Sequence, residues 1–119
     1  MKRTKPLTVI FFKEPLTGNQ PVKDFLKDLE KEDRSTVGHD LWFLQRNWPI
    51  GKPYVDNLGN GLWELRSDLS NRIIRIIFVV KQDRIIALNA FIKKTQKTPP
   101  NEIALALRRL KNVKTKEDL

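Results

Sequence analysis

An α+β fold, a small twisted antiparallel β-sheet with two N-terminal helices and one C-terminal helix, is predicted by three observations. Strand-like runs "LWELRSD", "RIIRIIFVV" and "DRIIALNAFIKK" follow one another, joined by the links "LSN" and "KQD", which are short enough for antiparallel hairpins. Two amphipathic stretches precede these runs. A proline-led apolar stripe follows them.

The elements follow in order. "LTVIFF" is β-branched and aromatic and reads as a first strand, broken by Pro15, Gly18 and Pro21 in "KEPLTGNQP". Pro21 suits a first helical turn, and Val22, Phe25, Leu26 and Leu29 then recur on one face, with Lys23, Asp24, Lys27 and Asp28 on the other. A second helix is predicted from about Ser35, carried by Val37, Leu41, Leu44 and Trp48 until Pro49 stops it. "IGKPYVDNLGNG" reads as a loop, and the three strands come next. Thr98 is placed to cap a last helix with Pro99 at its first position and Ile103, Leu107 and Leu110 as its buried stripe. Residues 110–119 are expected to form a frayed polar tail. A chain of 119 residues fits a single domain, 1–119.

Strand side chains alternate between faces, so each run divides into two sets. Trp63 and Leu65, then Ile74, Ile76, Phe78 and Val80, then Ile86, Leu88, Ala90 and Ile92 are wholly apolar and are assigned to the main core. The complementary sets are mixed: Glu64 and Arg66, then Arg75 among Ile73, Ile77 and Val79, then Asn89, Phe91 and Lys93. A meander would therefore bring Arg66, Arg75 and Lys93 to one face, with Lys94 and Lys97 around the strand end. That is a candidate phosphate site. Pairing of Arg75 with Glu64 is the plainer alternative, but one glutamate cannot neutralise five cations.

Composition narrows the function classes. The 23 Lys and Arg against 14 Asp and Glu give a formal net charge of +9, which points to a polyanionic partner, although magnitudes of roughly 2–8 are ordinary for small domains. Acidic residues gather early in "KDFLKDLEKEDR", and the segment from Arg84 to Lys116 carries most of the excess basic charge. The chain has no cysteine, which excludes a disulfide framework, a thiolate metal site and a cysteine nucleophile; a cytoplasmic location is expected. "LTVIFF" is too short to span a membrane or serve as a secretory leader, so no membrane partner is expected. Gly51, Gly59 and Gly61 form no strand-to-helix phosphate motif, and neither cofactor nor metal is implied.

"GLWELRSD", "RIIRIIFVV" and "ALNAFIKKTQKTPPNEIALALRRL", most specifically "KKTQKTP", resemble HigB-like, phage-derived Gp49-like toxins of the RelE/ParE toxin superfamily. The resemblance covers residues 58–110 closely, and the two preceding helices fit in order and length. It implies a small twisted antiparallel sheet with two N-terminal helices on one face. It also implies cleavage of messenger RNA in the ribosomal A site, contact with ribosomal RNA, and a cognate helix-turn-helix antitoxin. Some superfamily members instead inhibit DNA gyrase without catalysis, and a basic nucleic-acid-binding accessory is a third reading. Fold alone does not choose among these.

Cleavage by attack of a ribose 2′-hydroxyl on the neighbouring phosphate needs a base, an acid and cations. Arg66 and Arg75 offer paired guanidinium donors for the non-bridging oxygens. Lys93, Lys94 and Lys97 are close enough in sequence to repel one another, which eases proton release and lets one act as acid or base. Phe91 is a candidate for stacking on a splayed base, with packing beneath the last helix as its alternative; Thr95 and Arg108 are assigned to RNA contact. Many superfamily nucleases use a histidine or tyrosine, and here His39 lies on the second helix and Tyr54 in the loop before the sheet.

Overall fold

The computed structural model describes residues 5–113. In chain order it contains β1 (Thr8–Phe11), α1 (Pro21–Lys27), α2 (Lys31–Asn47), β2 (Val55–Gly59), β3 (Leu62–Asp68), β4 (Ile73–Lys81), β5 (Arg84–Ile92) and α3 (Pro100–Lys111). The five strands form one sheet in the order β1-β5-β4-β3-β2. The class is α+β, as expected, with two differences. The two early helices follow β1 rather than beginning the chain, and the sheet is mixed, because β1 runs parallel to β5 from Thr8↔Arg84 to Phe11↔Ala87. A parallel pair needs a long connection between its strands, and the chain through α1, α2 and three further strands supplies it, bringing β5 in between β4 and the edge strand β1.

β2 lies inside the segment read as a loop. It pairs antiparallel with β3, Val55 opposite Leu65 and Asn57 opposite Trp63. Asn60 and Gly61 both have positive φ, 56° and 81°, the geometry an Asn-Gly pair adopts to turn a hairpin with the sheet's own twist. Only Val55 of this strand is buried, so it carries little hydrophobic signal.

The sheet has a core on each face. Val22, Leu26, Val37, Leu41 and Leu44 of α1 and α2 pack with Leu65, Ile74, Ile76 and Phe78. Trp48, where α2 ends, meets Trp63 and Phe78 edge-on, at centroid distances of 5.0 and 5.6 Å. On the opposite face, Ala106 with Ile103, Leu107 and Leu110 of α3 covers Leu62, Ile77, Val79, Ile86 and Leu88. The predicted alternation of β3 and β4 is therefore the observed one.

In β5 the alternation breaks. Ile77 pairs with Asn89 and Phe78 with Ala87, so Leu88 is an extra residue, a bulge that shifts the phase of the strand. Ala90 lies against α1 and α2 as expected, but Ile86 and Leu88 turn to the α3 side, and Ile85 and Ala87 take their place in the first core. Arg109 of α3 secures the bulge, its Nη1 donating to the Leu88 carbonyl at 2.8 Å and to Asn89 Oδ1 at 3.2 Å. Its ring neighbour is Phe12, 5.6 Å from the guanidinium carbon.

Two helix boundaries also differ. α2 starts at Lys31, where Arg34 Nη1 donates to the carbonyls of Lys27 and Leu29 and ties the two helices together. α3 starts one residue later than predicted: Pro99 is its N-cap and Pro100 its first residue. The Thr98 hydroxyl caps nothing, because it donates to Glu64 Oε2 at 2.7 Å. At the other end α3 includes Leu110 and Lys111, and Val113 is buried; the rest of the expected frayed tail, residues 114–119, lies outside the described residues.

Candidate nucleic-acid interface

Where α3 stops covering the sheet, the mixed face opens as a cleft of about 320 Å³ lined by Lys52, Pro53, Tyr54, Asp56, Glu64, Arg66, Arg75, Lys93 and Gln96. Strand register builds it. Arg66 lies directly opposite Arg75, and Arg75 opposite Phe91, so these residues form one row across β3, β4 and β5. Two guanidiniums on adjacent strands repel each other and persist only where anions hold them apart. Arg75 turns to Glu64, Nη1 to Oε1 at 2.8 Å, with the two side chains 11% and 4% exposed. Arg66 turns the other way, to Asp68 at 2.8 Å, and stays 40% exposed.

Arg75 is thus the inner, fixed cation. Besides Glu64 it reaches the Thr98 hydroxyl and the Gln96 carbonyl, both at 3.4 Å. Glu64 in turn accepts from Arg75 on one carboxylate oxygen and from Thr98 on the other. Burial pushes the Glu64 carboxyl above the usual carboxylate range, and the Thr98 hydrogen bond and the Arg75 charge only partly oppose it. Arg66 is the outer cation. Lys93, whose backbone N–H extends the β4–β5 ladder to the Ile73 carbonyl, lines the cleft and makes no ion pair among the described residues. Four cationic side chains face two carboxylates in this lining, so its net charge is positive.

The three lysines assigned together are separated. Lys94 leaves β5 on the side away from Lys93 and lines a second hollow with Phe25, Phe91, Ile92 and Pro99. Lys97 is exposed in the turn before α3 and lines neither space. Thr95 spends its hydroxyl within that turn, donating to the Lys97 carbonyl at 2.7 Å. Phe91 is half-buried against the apolar cluster beneath α3. Arg108 is exposed on α3, outside the cleft. Arg66, Arg75 and Lys93 are brought together as the alternation predicted.

Tyr54 lines the cleft, whereas His39 lies on α2 against Trp42, ring centroids 5.6 Å apart. Lys52, Asp56 and Gln96 were not singled out from sequence. They sit in or beside connecting segments, where no periodicity assigns a face. Among the described residues no three His, Cys, Asp or Glu side chains gather in a metal-binding group, and no helix is long and apolar enough to cross a membrane.

The open sheet face of this basic α+β domain thus presents a guanidinium fixed by a buried carboxylate, beside two less constrained cations. Residues 24–111, which include every residue of the cleft, match the family of phage-derived Gp49-like proteins (DUF891), and the chain belongs to that family. Gp49-like proteins are toxin-like, of the RelE/HigB type. No curated protein matches the chain.

Proposed function

We propose that the chain is the toxin of a type II toxin–antitoxin pair, a HigB-like, metal-independent endoribonuclease that cuts messenger RNA in the ribosomal A site. The observation that carries this reading is the cleft in which Arg66 and Lys93 flank an Arg75 already oriented by Glu64 and Thr98. In the reaction the ribose 2′-oxygen attacks the adjacent phosphorus and the bond to the 5′-oxygen of the next nucleotide breaks. A 2′,3′-cyclic phosphate and a 5′-hydroxyl result. Negative charge builds on the non-bridging oxygens, where Arg66 and Arg75 stabilise it; such pre-oriented donors contribute most when they need no rearrangement during the reaction. Glu64, with its proton affinity raised by burial, is the candidate to take the 2′-hydroxyl proton, and Lys93 to protonate the leaving oxygen.

So small a site can hold a strand by its phosphate but has few groups to align it for in-line attack unaided. Ribosomal RNA supplies that alignment, which in favourable cases is equivalent to an effective concentration on the order of 10⁵ M. A helix-turn-helix antitoxin restrains the toxin in the cytoplasm until it is released. Primer extension on cells expressing the chain tests the reading: cuts within translated messages, reproduced by purified protein only when ribosomes are present, are expected. Efficient cleavage of naked RNA with no gain from ribosomes refutes the ribosomal part. A second reading, non-catalytic inhibition of DNA gyrase, is favoured by the cleft's lack of an imidazole. Intact messages together with gyrase-dependent DNA damage would select it.

A further inference from the structure

The row of the sheet that carries the two arginines does not end at Arg66. The Arg66 N–H donates to the Tyr54 carbonyl at 2.9 Å, and Val55 pairs with Leu65, so Tyr54 occupies the position opposite Arg66 just before β2 begins. The row therefore reads Tyr54, Arg66, Arg75, Phe91: aromatic, cation, cation, aromatic. Its two ends differ. Phe91 is packed beneath α3, whereas Tyr54 is 53% exposed and lines the cleft. Tyr54 is nonetheless held in place. Its own N–H donates to the Gly51 carbonyl at 3.1 Å, and its ring leans on Phe43 of α2, centroids 5.6 Å apart at 49°.

An exposed, anchored aromatic ring one strand away from an open guanidinium has a specific chemical meaning. Adjacent strands lie roughly 5 Å apart, so a phosphate bound at Arg66 and Arg75 leaves the base of the same or the adjoining nucleotide within reach of the Tyr54 ring. Aromatic rings bind unstacked bases through their π faces, whatever the base. We propose that Tyr54 is the nucleobase platform of the cleft: a single-stranded RNA places a phosphodiester on Arg66 and Arg75 and stacks the adjoining base on Tyr54. This rests on the reading of the cleft as an RNA site. Tyr54 is a positioning residue, orienting the nucleotide whose phosphate the arginines hold.

The test uses the full chain at low salt, with a short 2′-O-methyl RNA that cannot be cleaved and a matched series with one abasic position moved along it. Fluorescence anisotropy is expected to show Arg66-dependent binding, weakened roughly 5- to 150-fold by Tyr54→Ala and little changed by Tyr54→Phe. Abasic substitution at one position is expected to weaken wild-type binding by a similar factor and to leave Tyr54→Ala unaffected. Because the chain has one tyrosine, fluorotyrosine labelling gives a single resonance, which should shift with the intact RNA and not with that abasic one. This readout compares two RNAs on the same labelled protein, so a folding defect in a variant cannot produce it. If RNA binds through Arg66 but the abasic penalty is the same in wild type and Tyr54→Ala, the platform is wrong and the RNA site stands. If wild-type protein shows no Arg66-dependent binding, the RNA reading falls and the platform with it.

Discussion

Leu65 and Arg66 are neighbours in β3 whose loss should fail for opposite reasons. Leu65 is 2% exposed within the core under α1 and α2. Truncating a buried leucine to alanine costs roughly 2–5 kcal/mol, a large share of the stability of a small domain. For a chain of this size each kcal/mol lowers Tm by roughly 3–7 °C, so Leu65→Ala should melt well over 5 °C early. Arg66 stands on the other face, and its ion pair with Asp68 is largely exposed. Such pairs contribute about 0–1 kcal/mol, so Arg66→Ala should shift Tm by between nothing and roughly 7 °C. Its effect belongs to the reaction instead, where removal of one charge-stabilising donor costs roughly 10²–10³ in rate. Differential scanning calorimetry alongside single-turnover cleavage of ribosome-bound message separates the two. If Arg66→Ala keeps full cleavage, or loses it only in step with a lowered Tm, the mixed face is not the active face.

Three further outcomes are expected. Burial raises the Glu64 carboxyl above its unfolded value, so the folded chain holds that proton more tightly; the associated stability is fully present below the unfolded carboxylate range and is lost as pH rises through the folded value. Urea titrations from mildly acidic to neutral pH should show that slope in wild type and a flatter one in Glu64→Gln, and identical slopes would contradict it. Glu64→Ala strands Arg75 at 11% exposure without its counter-ion; a loss of roughly 3–5 kcal/mol in chemical denaturation is expected, and a Glu64→Ala, Arg75→Met double variant should recover part of it. Arg109→Ala leaves the Leu88 carbonyl and Asn89 Oδ1 without that donor. It should cost about 1–3 kcal/mol and speed amide exchange around the bulge relative to β3, whereas unchanged exchange would remove Arg109 from that role.

Some of this protein is written in short-range pattern. The two-residue period of β3 and β4 places Leu65 and Ile76 in one core and Arg66 and Arg75 on the other face, because that period is a property of an extended backbone regardless of its partners. The helical spacing of Val22, Phe25 and Leu26, and of Val37, Leu41 and Leu44, likewise depends only on the helix's own geometry. Tertiary structure decided what depends on a distant partner. The bulge at Leu88 arises where β4, β5 and Arg109 meet, and it exchanges Ile86 and Leu88 for Ile85 and Ala87 in the first core. The parallel pairing of β1 joins residues some 75 positions apart. Thr98 looks like a helix cap in sequence, yet it serves Glu64, 34 residues away, because a buried carboxylate needs donors more than a proline-led helix needs a cap. The same long-range geometry keeps Lys93 in the cleft, leaves Lys94 and Lys97 outside, and brings Tyr54 beside Arg66: sequence spacing says which residues are near along the chain, and only the paired sheet says which are near in space.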